Sequence, residues 1–261
     1  MRPGQSLGRL TARLLVKLES ALVATAPNLV IGHGDTTSCL AAAMASFYQK
    51  IPFFHVEAGL RSGKLNAPYP EEFNRRSVAP LATHHFANST RERENLLADG
   101  IDERKITVTG STIEDALYHL KPPDLRPVRS RPRNVMVTLH RREGLQALDA
   151  ILEEVALAAE MRPEIHFLCP LHPNPAVRFA FHCALGALPN VSLTDPMPYA
   201  NFLNALSRAD LVITDSGGVQ EEAALLCRPV LLARDETERS DGIKSGLVAL
   251  GSREPKVFRS R

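Results

Sequence analysis

The sequence contains 261 residues, with 31 Lys and Arg against 29 Asp and Glu, which gives a formal net charge of +2. This balance, without a basic block interleaved with aromatic residues, excludes a protein that binds nucleic acid through bulk charge. The hydrophobic content of 44% is normal for a globular protein with a sizeable core. No apolar stretch is long enough to span a bilayer and no secretory segment opens the chain, so we expect no membrane partner and a cytoplasmic location.

The spacing of cysteine and histidine indicates neither a metal site nor a disulfide framework. Four cysteines stand singly in apolar runs, at Cys39, Cys169, Cys183 and Cys227. Because none forms a CxxC pair, we expect each to be a small buried hydrophobic residue. The nine histidines have no HExxH spacing, and the adjacent His84 and His85 would point to opposite faces of a strand. The sequence therefore predicts no bound metal.

The first 120 residues alternate between helix and strand patterns. Leucines at helical spacing open the chain, and short apolar runs between polar loops indicate strands. We predict helices over residues 6–24, 36–49, 71–81, 90–99 and 112–120. We predict strands over residues 28–32, 53–56, 85–87 and 106–108. This part is predicted to be one domain, residues 1–120.

A change of composition follows at residues 121–133, where four prolines and five basic residues are typical of a linker. The alternation then restarts in a second predicted domain, residues 134–261. We predict strands over residues 134–139, 165–169, 191–193, 211–214 and 230–233. We predict helices over residues 145–160, 176–188, 199–207 and 218–226.

Strands that alternate with helices form parallel sheets with right-handed crossovers. The predicted fold class is therefore α/β, with two doubly wound domains that face a cleft. In such sheets ligands bind beyond the carboxyl ends of the strands, so the residues that follow each strand are the candidates for function.

Three acidic residues occupy such positions in the first domain. Glu57 closes an apolar run, Glu71 opens a helix after a Pro-rich loop, and Asp35 follows the strand at 28–32. Carboxylates that face one cleft can differ in pKa and divide the acid and base roles of a reaction. A simpler interpretation stays open for each: a solvated strand end for Glu57, a first-turn helix charge for Glu71 and a helix cap for Asp35.

A candidate anion site lies in the second domain. The run DSGGVQEE, residues 215–222, joins a strand to a helix, where glycines allow close approach and helix-start N–H groups favour a phosphate. A tight turn without a ligand is the alternative. Glu222 could accept hydrogen bonds from a ribose diol, or it could be a solvated helix residue. His140, in the basic run HRRE, and Arg239 could bind a pyrophosphate, although a basic surface turn is the simpler interpretation.

Together these segments resemble the non-hydrolysing UDP-N-acetylglucosamine 2-epimerases of bacteria. The matching segments occur in the family's order and cover nearly the whole chain. They are HGDTT (33–37), HVEAGLRS (55–62), PEEFNRR (70–76), TGSTIEDAL (109–117), HRRE (140–143), PLHPNP (170–175), TDSGGVQEEA (214–223) and DETER (235–239). The resemblance implies two Rossmann-like domains in a glycosyltransferase-B arrangement and the interconversion of UDP-GlcNAc and UDP-ManNAc.

The resemblance also implies roles for individual residues. It implies four catalytic residues, Asp35, Glu57, Glu71 and His140. It implies that UDP is bound by Ser216, Gly217, Gly218, Glu222 and Arg239, with Phe202 beside the uracil. Elimination and re-addition of UDP requires no redox cofactor and no metal. The family's usual assembly implies a homodimer.

The sequence departs from the family at both ends. The family begins with a strand and a basic loop that have no counterpart before the helix at 6–24, so we expect a first domain that lacks its first βαβ portion. The chain also stops, at Arg261, before the family's last helices. Two other functions stay open: a C2 epimerase of a UDP-diacetamido-uronic acid, or an inactive, truncated remnant that binds a nucleotide sugar.

Overall fold

The computed structural model describes residues 5–120, 133–139, 145–234, 243 and 245–251. The described helices are α1 (Leu7–Thr25), α2 (Thr37–Tyr48), α3 (Glu71–Val78), α4 (Thr90–Ala98), α5 (Thr112–Leu120), α6 (Leu145–Met161), α7 (Pro175–Leu185), α8 (Tyr199–Arg208) and α9 (Gly217–Leu225). The described strands are β1 (Val30–His33), β2 (Phe53–Ala58), β3 (His84–Ala87), β4 (Ile106–Val108), β5 (Asn134–Thr138), β6 (His166–Pro170), β7 (Val191–Thr194), β8 (Leu211–Thr214), β9 (Val230–Leu232) and β10 (Val248–Leu250). A 3-10 turn covers Glu103–Lys105. In this part of the chain, no helix is both long enough and apolar enough to cross a membrane.

The chain divides into two compact units, Met1–Thr112 and Ile113–Arg261. The first unit holds a parallel sheet in the order β1-β2-β3-β4. Its core packs α2 and α3 on the sheet through Cys39, Phe53 and Val78. Gly32 makes this packing possible, because a Cβ there would lie 2.2 Å from the Phe53 ring. Since parallel strands end at the same edge, the segments that follow β1 and β2 lie side by side.

The second unit holds a six-stranded parallel sheet in the order β10-β9-β8-β5-β6-β7. Phe167 of β6 and Phe181 of α7 pack with Leu152 of α6 in the core on one side of this sheet. The strand order changes direction where β5 lies next to β8. In open α/β sheets ligands bind at this switch point, beyond the carboxyl ends of the strands. The expected ligand position of this unit is therefore the segment that follows Thr138 and Thr214.

The α/β fold class predicted from the sequence is confirmed, and each predicted helix and strand has a counterpart. The largest differences, three residues, occur at the carboxyl ends of α3 and α7. Strand β10 was not predicted. Nearly all of the predicted linker lies outside the described residues, so the predicted domain bounds stay a prediction. Ile113 and Leu117 of α5 pack in a core cluster of the second unit.

The prediction that all four cysteines are buried is wrong for two of them. Cys39 and Cys169 are buried free thiols, whereas Cys183 and Cys227 are exposed free thiols. Cys183 lies on α7, where helical rotation carries some members of an apolar run to the solvent side. Cys227 follows α9 with a φ of +54°, in a turn that places it at the surface.

Two buried histidines of the first sheet predict how stability responds to acid. His55 and His85 are 1% and 0% exposed on neighbouring strands, and burial lowers the pKa of each to about 4. Because the unfolded chain takes up these protons near pH 6.5, stability is fully present above that pH and falls as the pH drops towards 4. We expect a loss of about 2–3 kcal/mol per histidine between pH 7 and pH 4.5, measured by urea unfolding.

Replacing His85 with Leu is expected to reduce this pH dependence, because one of the two buried titrating groups is removed. His166→Gln serves as the control, since His166 is exposed on β6 and bonds Ser192 Oγ at 2.8 Å. If the two variants kept the same pH dependence as the unaltered chain, His85 would not be a source of it.

Candidate active site

The turn that follows β1 is tied to β2 by two hydrogen bonds. The Gly34 N–H donates to Val56 O at 3.0 Å, and His55 Nε2 donates to Gly34 O at 2.8 Å. Gly34 has a φ of +75°, which glycine adopts without strain. A Cβ at this position would lie 3.2 Å from Glu57 Oε2. The turn therefore carries Asp35 into the neighbourhood of the Glu57 carboxylate.

Glu57 has a backbone conformation that is rare for a residue with a side chain. Its φ is +62°, and the register between β2 and β3 shifts between Val56 and Ala58. Bulges of this kind re-aim a side chain, and a left-handed non-glycine residue costs about 1–3 kcal/mol, which the surrounding structure must offset. Glu57 Oε2 lies 3.9 Å from His33 Nε2, with 13% of the side chain exposed. The bulge thus turns Glu57 towards the end of β1.

Asp35 is bound by a buried arginine of α3. Arg75 Nη2 donates to Asp35 Oδ2 at 2.6 Å, and the Arg75 side chain is 2% exposed. Asn74 Nδ2 also donates to the backbone oxygen of Asp35, at 2.8 Å. The cap of α2 is Thr36, whose Oγ1 accepts from the Cys39 N–H. Asp35 is therefore not the helix cap, and its carboxylate, 26% exposed, can face a ligand.

The thiol of Cys39 lies within electrostatic reach of two of the predicted carboxylates. Burial, and then the charges of Asp35 and Glu57, raise the pKa of this thiol to about 12. The third predicted carboxylate, Glu71, is the half-buried first residue of α3. It lies four residues before Arg75, so the two side chains project from the same face of the helix. The structure brings Asp35 and Glu57 together and places Glu71 on the helix that binds Asp35.

Sequence reasoning missed two side chains of this cluster. His33 Nε2 contacts Glu57 and lies 3.2 Å from Thr112 Oγ1, and Arg75 binds Asp35. Both stand inside segments that were recognised, HGDTT and PEEFNRR. Their pairing depends on how β1, β2 and α3 pack, which the spacing of residues along the chain does not reveal.

The predicted anion turn of the second unit lies at the switch point of its sheet. The Ser216 N–H donates to Thr214 Oγ1 at 3.0 Å, and Ser216 Oγ caps α9 by accepting from the Val219 N–H at 3.4 Å. The next two residues, Gly217 and Gly218, form the first turn of α9. By helix geometry their N–H groups have no acceptor within the helix, which suits a phosphate.

Glu222 and Phe202 lie on two helices that follow each other along the chain. Glu222 of α9 is 8% exposed, and its Oε1 accepts from the Tyr199 hydroxyl at 2.8 Å. Burial, and then this carboxylate, raise the pKa of Tyr199, so the phenol stays protonated and continues to donate. Phe202 lies one turn after Tyr199 on α8 and packs, half-buried, against the core. Tyr199 is a further side chain that sequence reasoning missed.

Two of the predicted site residues, His140 and Arg239, lie outside the described residues. Within the described part of the chain, no group of three or more His, Cys, Asp or Glu could hold a metal ion. Among the described residues, the predicted site residues form two groups. One is the acidic cluster of the first unit, and the other is the Ser216 turn of the second unit.

Comparison with known proteins identifies the family. A family model described as UDP-N-acetylglucosamine 2-epimerase matches residues 2–258. The chain belongs to this family. The resemblance to the non-hydrolysing epimerases that the motifs predicted is thereby confirmed.

Named relatives agree with this assignment. The UDP-N-acetylglucosamine 2-epimerase of Yersinia pestis is 41% identical over 264 residues, which cover 96% of this chain and 70% of the relative. The crystal structure of the Neisseria meningitidis enzyme bound to UDP-GlcNAc has a TM-score of 0.89 and 37% identity, and covers 100% of this chain and 74% of that one. The S. aureus MnaA–UDP structure has a TM-score of 0.90 and 31% identity, and covers 100% and 71%. These matches confirm the fold class predicted for this chain, the α/β fold of the glycosyltransferase-B-like UDP-GlcNAc 2-epimerases.

Proposed function

We propose that this family member epimerises a UDP-N-acetylhexosamine at C2 and interconverts UDP-GlcNAc and UDP-ManNAc. The observation that carries the proposal is the cluster at the carboxyl edge of the first sheet, where Glu57 and the Arg75-bound Asp35 lie beside the Gly34 turn. Carboxylates can transfer protons at a sugar carbon, which is the chemistry that a C2 epimerase requires.

The chemistry explains why both acids and an anion site are needed. The C2 proton of an acetamido sugar has no adjacent carbonyl, so its direct removal would leave an unstabilised carbanion. When the C1–O bond breaks, UDP leaves with the electron pair, positive charge develops at C1, and a base can take the C2 proton to form a C1=C2 bond. Protonation of C2 on the opposite face and return of UDP to C1 give the epimer. The reaction has no net oxidation, so the proposal requires no redox cofactor.

We assign the residues to two tasks. Asp35, Glu57, Glu71 and His140 are proposed to act in proton transfer around C1 and C2. The developing charge of UDP is proposed to be bound by Ser216, Gly217, Gly218, Glu222 and Arg239, with Phe202 beside the base. Backbone N–H donors at the start of α9 support the second assignment, because preorganised donors stabilise charge that develops on a leaving group.

Incubation of the purified chain with UDP-GlcNAc in deuterated water tests the proposal. Both epimers should carry deuterium at C2, because the removed proton exchanges with solvent before it returns. Release of free ManNAc and UDP would indicate a hydrolysing enzyme instead. Turnover of a UDP-diacetamido-uronic acid in preference to UDP-GlcNAc would support the alternative substrate. Binding of UDP without any turnover would indicate a nucleotide-sugar-binding protein.

Gly218→Ala is expected to weaken UDP binding by about tenfold or more, because a methyl group would occupy the space where the phosphate approaches the helix start. The fold itself has room, since a Cβ at Gly218 meets nothing closer than Ser216 Oγ at 3.9 Å. Calorimetric titration with UDP measures the effect.

Gly8→Ala provides a matched control, because Gly8 is likewise the second residue of a helix with a serine cap, Ser6, and a Cβ there meets nothing within 4 Å. Both variants should change stability by less than about 1 kcal/mol. Unaltered UDP affinity in the Gly218 variant would argue against a phosphate at this turn.

We also propose that the chain forms a homodimer and acts in the cytoplasm. Exposed apolar surface supports the dimer: Phe47 and Tyr48 at the end of α2 are 57% and 68% exposed. Together with Phe73 of α3 they line a groove of about 340 Å³. Contiguous apolar surface of this kind is typical of an interaction site. Sedimentation equilibrium decides the point, and a monomer at micromolar concentration would contradict it.

A further inference from the structure

We propose that Glu72 is a positioning residue of this site, which holds both the arginine that binds Asp35 and the segment that follows Glu57. The inference rests on the proposed function, because it concerns the same acidic cluster. Glu72 is 0% exposed, so its carboxylate has no access to a substrate. It can influence the reaction solely through the groups that it contacts.

The first of these groups belongs to the segment after β2. Glu72 Oε2 accepts from the Ser62 N–H at 3.0 Å, five residues after Glu57. Helix α4 also binds this segment, through Asn95 Nδ2, which donates to Gly59 O at 2.9 Å. The backbone that leaves the strained Glu57 is thus bound by two helices. Of these two contacts, the one from α3 is made by a buried negative charge.

The second group is Arg75. Its Nη2 binds Asp35 at 2.6 Å, while its Nη1 lies 3.4 Å from Glu72 Oε2. One buried guanidinium is therefore shared between an acid that is proposed to be catalytic and an acid that is inaccessible. The other oxygen of Glu72, Oε1, accepts from Arg76 Nε at 2.9 Å, and the Arg76 side chain is 42% exposed.

Charge explains why a carboxylate is required at this position. Arg75 is 2% exposed, and a buried cation needs partners of opposite charge that fix its orientation. With Glu72 on one side, Nη2 is directed at Asp35. A neutral amide at position 72 keeps the size of the side chain, but it would remove the negative charge beside Arg75 Nη1. It would also present NH₂ donors to the Ser62 N–H or to the arginines.

The test compares Glu72→Gln with Glu92→Gln. Glu92 is a matched control, since it is 6% exposed on the neighbouring helix α4 and accepts from Ser89 Oγ, away from Arg75. We expect Glu72→Gln to lower kcat for epimerisation by about 10- to 100-fold while KM changes by less than about threefold, because a displacement of about 1 Å can cost this much. Glu72→Asp, which keeps the charge, should recover part of the loss. Glu92→Gln should leave kcat and KM unchanged.

Crystal structures of the unaltered chain and of Glu72→Gln give a second measurement that does not depend on activity. The distance from Arg75 Nη2 to Asp35 Oδ2, 2.6 Å here, should increase beyond hydrogen-bond range, and the Ser62 segment should move. A kcat within about twofold of the unaltered chain, or an unchanged Arg75–Asp35 contact, would overturn the inference. If neither Glu72 variant folds while Glu92→Gln does, Glu72 is a folding residue and the inference is also overturned. If the unaltered chain lacks epimerase activity, the proposed function fails, and the crystallographic distance still decides the role of Glu72.

Discussion

Replacing Glu57 with Gln is expected to lower kcat for C2 epimerisation by about 10²- to 10³-fold, because the amide cannot accept or deliver a proton. Gln has almost the same shape as Glu, so the bulge at φ +62° and the contact with the Gly34 turn should persist. Binding of UDP should be unchanged, since the proposed UDP contacts belong to other residues. Initial rates of epimer formation and incorporation of deuterium at C2 measure the effect.

Glu94→Gln on α4 is the control for this variant, because Glu94 is an exposed acid of the same unit. It should leave both rates unchanged. A Glu57→Gln chain that kept more than about a third of the original kcat would remove Glu57 from the proposed proton transfer.

Replacing Gly59 with Ala is expected to lower the free energy of unfolding by about 3 kcal/mol or more. Gly59 has a φ of +91°, and a Cβ there would lie 2.2 Å from the backbone oxygen of Glu92. The left-handed conformation costs an alanine about 1–2 kcal/mol, and the overlap with backbone, which cannot rotate away, adds about 1–3 kcal/mol. Urea unfolding and calorimetry of the two chains measure the difference.

Gly100→Ala isolates the first of these two contributions. Gly100 has a φ of +84°, close to that of Gly59, but a Cβ there meets nothing within 4 Å. It should destabilise the chain by about 1–2 kcal/mol. If both variants lost the same free energy of unfolding, the close contact between α4 and the Gly59 backbone would contribute nothing to the effect of Gly59→Ala.

Local patterns in the sequence were sufficient to predict the elements. The leucine spacing of α1, the apolar run of β2 and the glycine-containing turn that opens α9 each specify their structure within a few neighbouring residues. Strand β10 was not predicted, and it is a strand through its parallel pairing with β9, a long-range contact that the local sequence does not specify. Cys183 was mistaken for core because an apolar run on a helix reaches both its faces, and Cys227 because its apolar run ends in the exposed turn after α9.

The sequence was sufficient to propose the acidic residues and the anion turn as parts of a site. It was not sufficient to predict the contacts between the elements that carry them. Arg75 and Asp35 lie 40 residues apart along the chain, and their pairing depends on α3 packing beside α2. The left-handed Glu57 arises from a shift of register against β3, a long-range property of the sheet. The switch point next to Ser216 depends on β5 pairing with β8, and no local signal specifies that pairing. The roles assigned to all of the site residues, His140 and Arg239 among them, stay predictions.

The tether of the Gly34 turn to β2 has a consequence for how this fold tolerates change. Because Asp35 follows β1 and Glu57 lies near the end of the adjacent parallel strand β2, the distance between their backbones depends on the spacing between strands, about 4.8 Å, which peptide geometry sets. Substitutions in the surrounding helices, other than those at Glu72 and Arg75 of α3, can accumulate without altering that distance. Substitutions in the hydrophobic core should therefore lower the stability of the fold before they change the distance between the two acids.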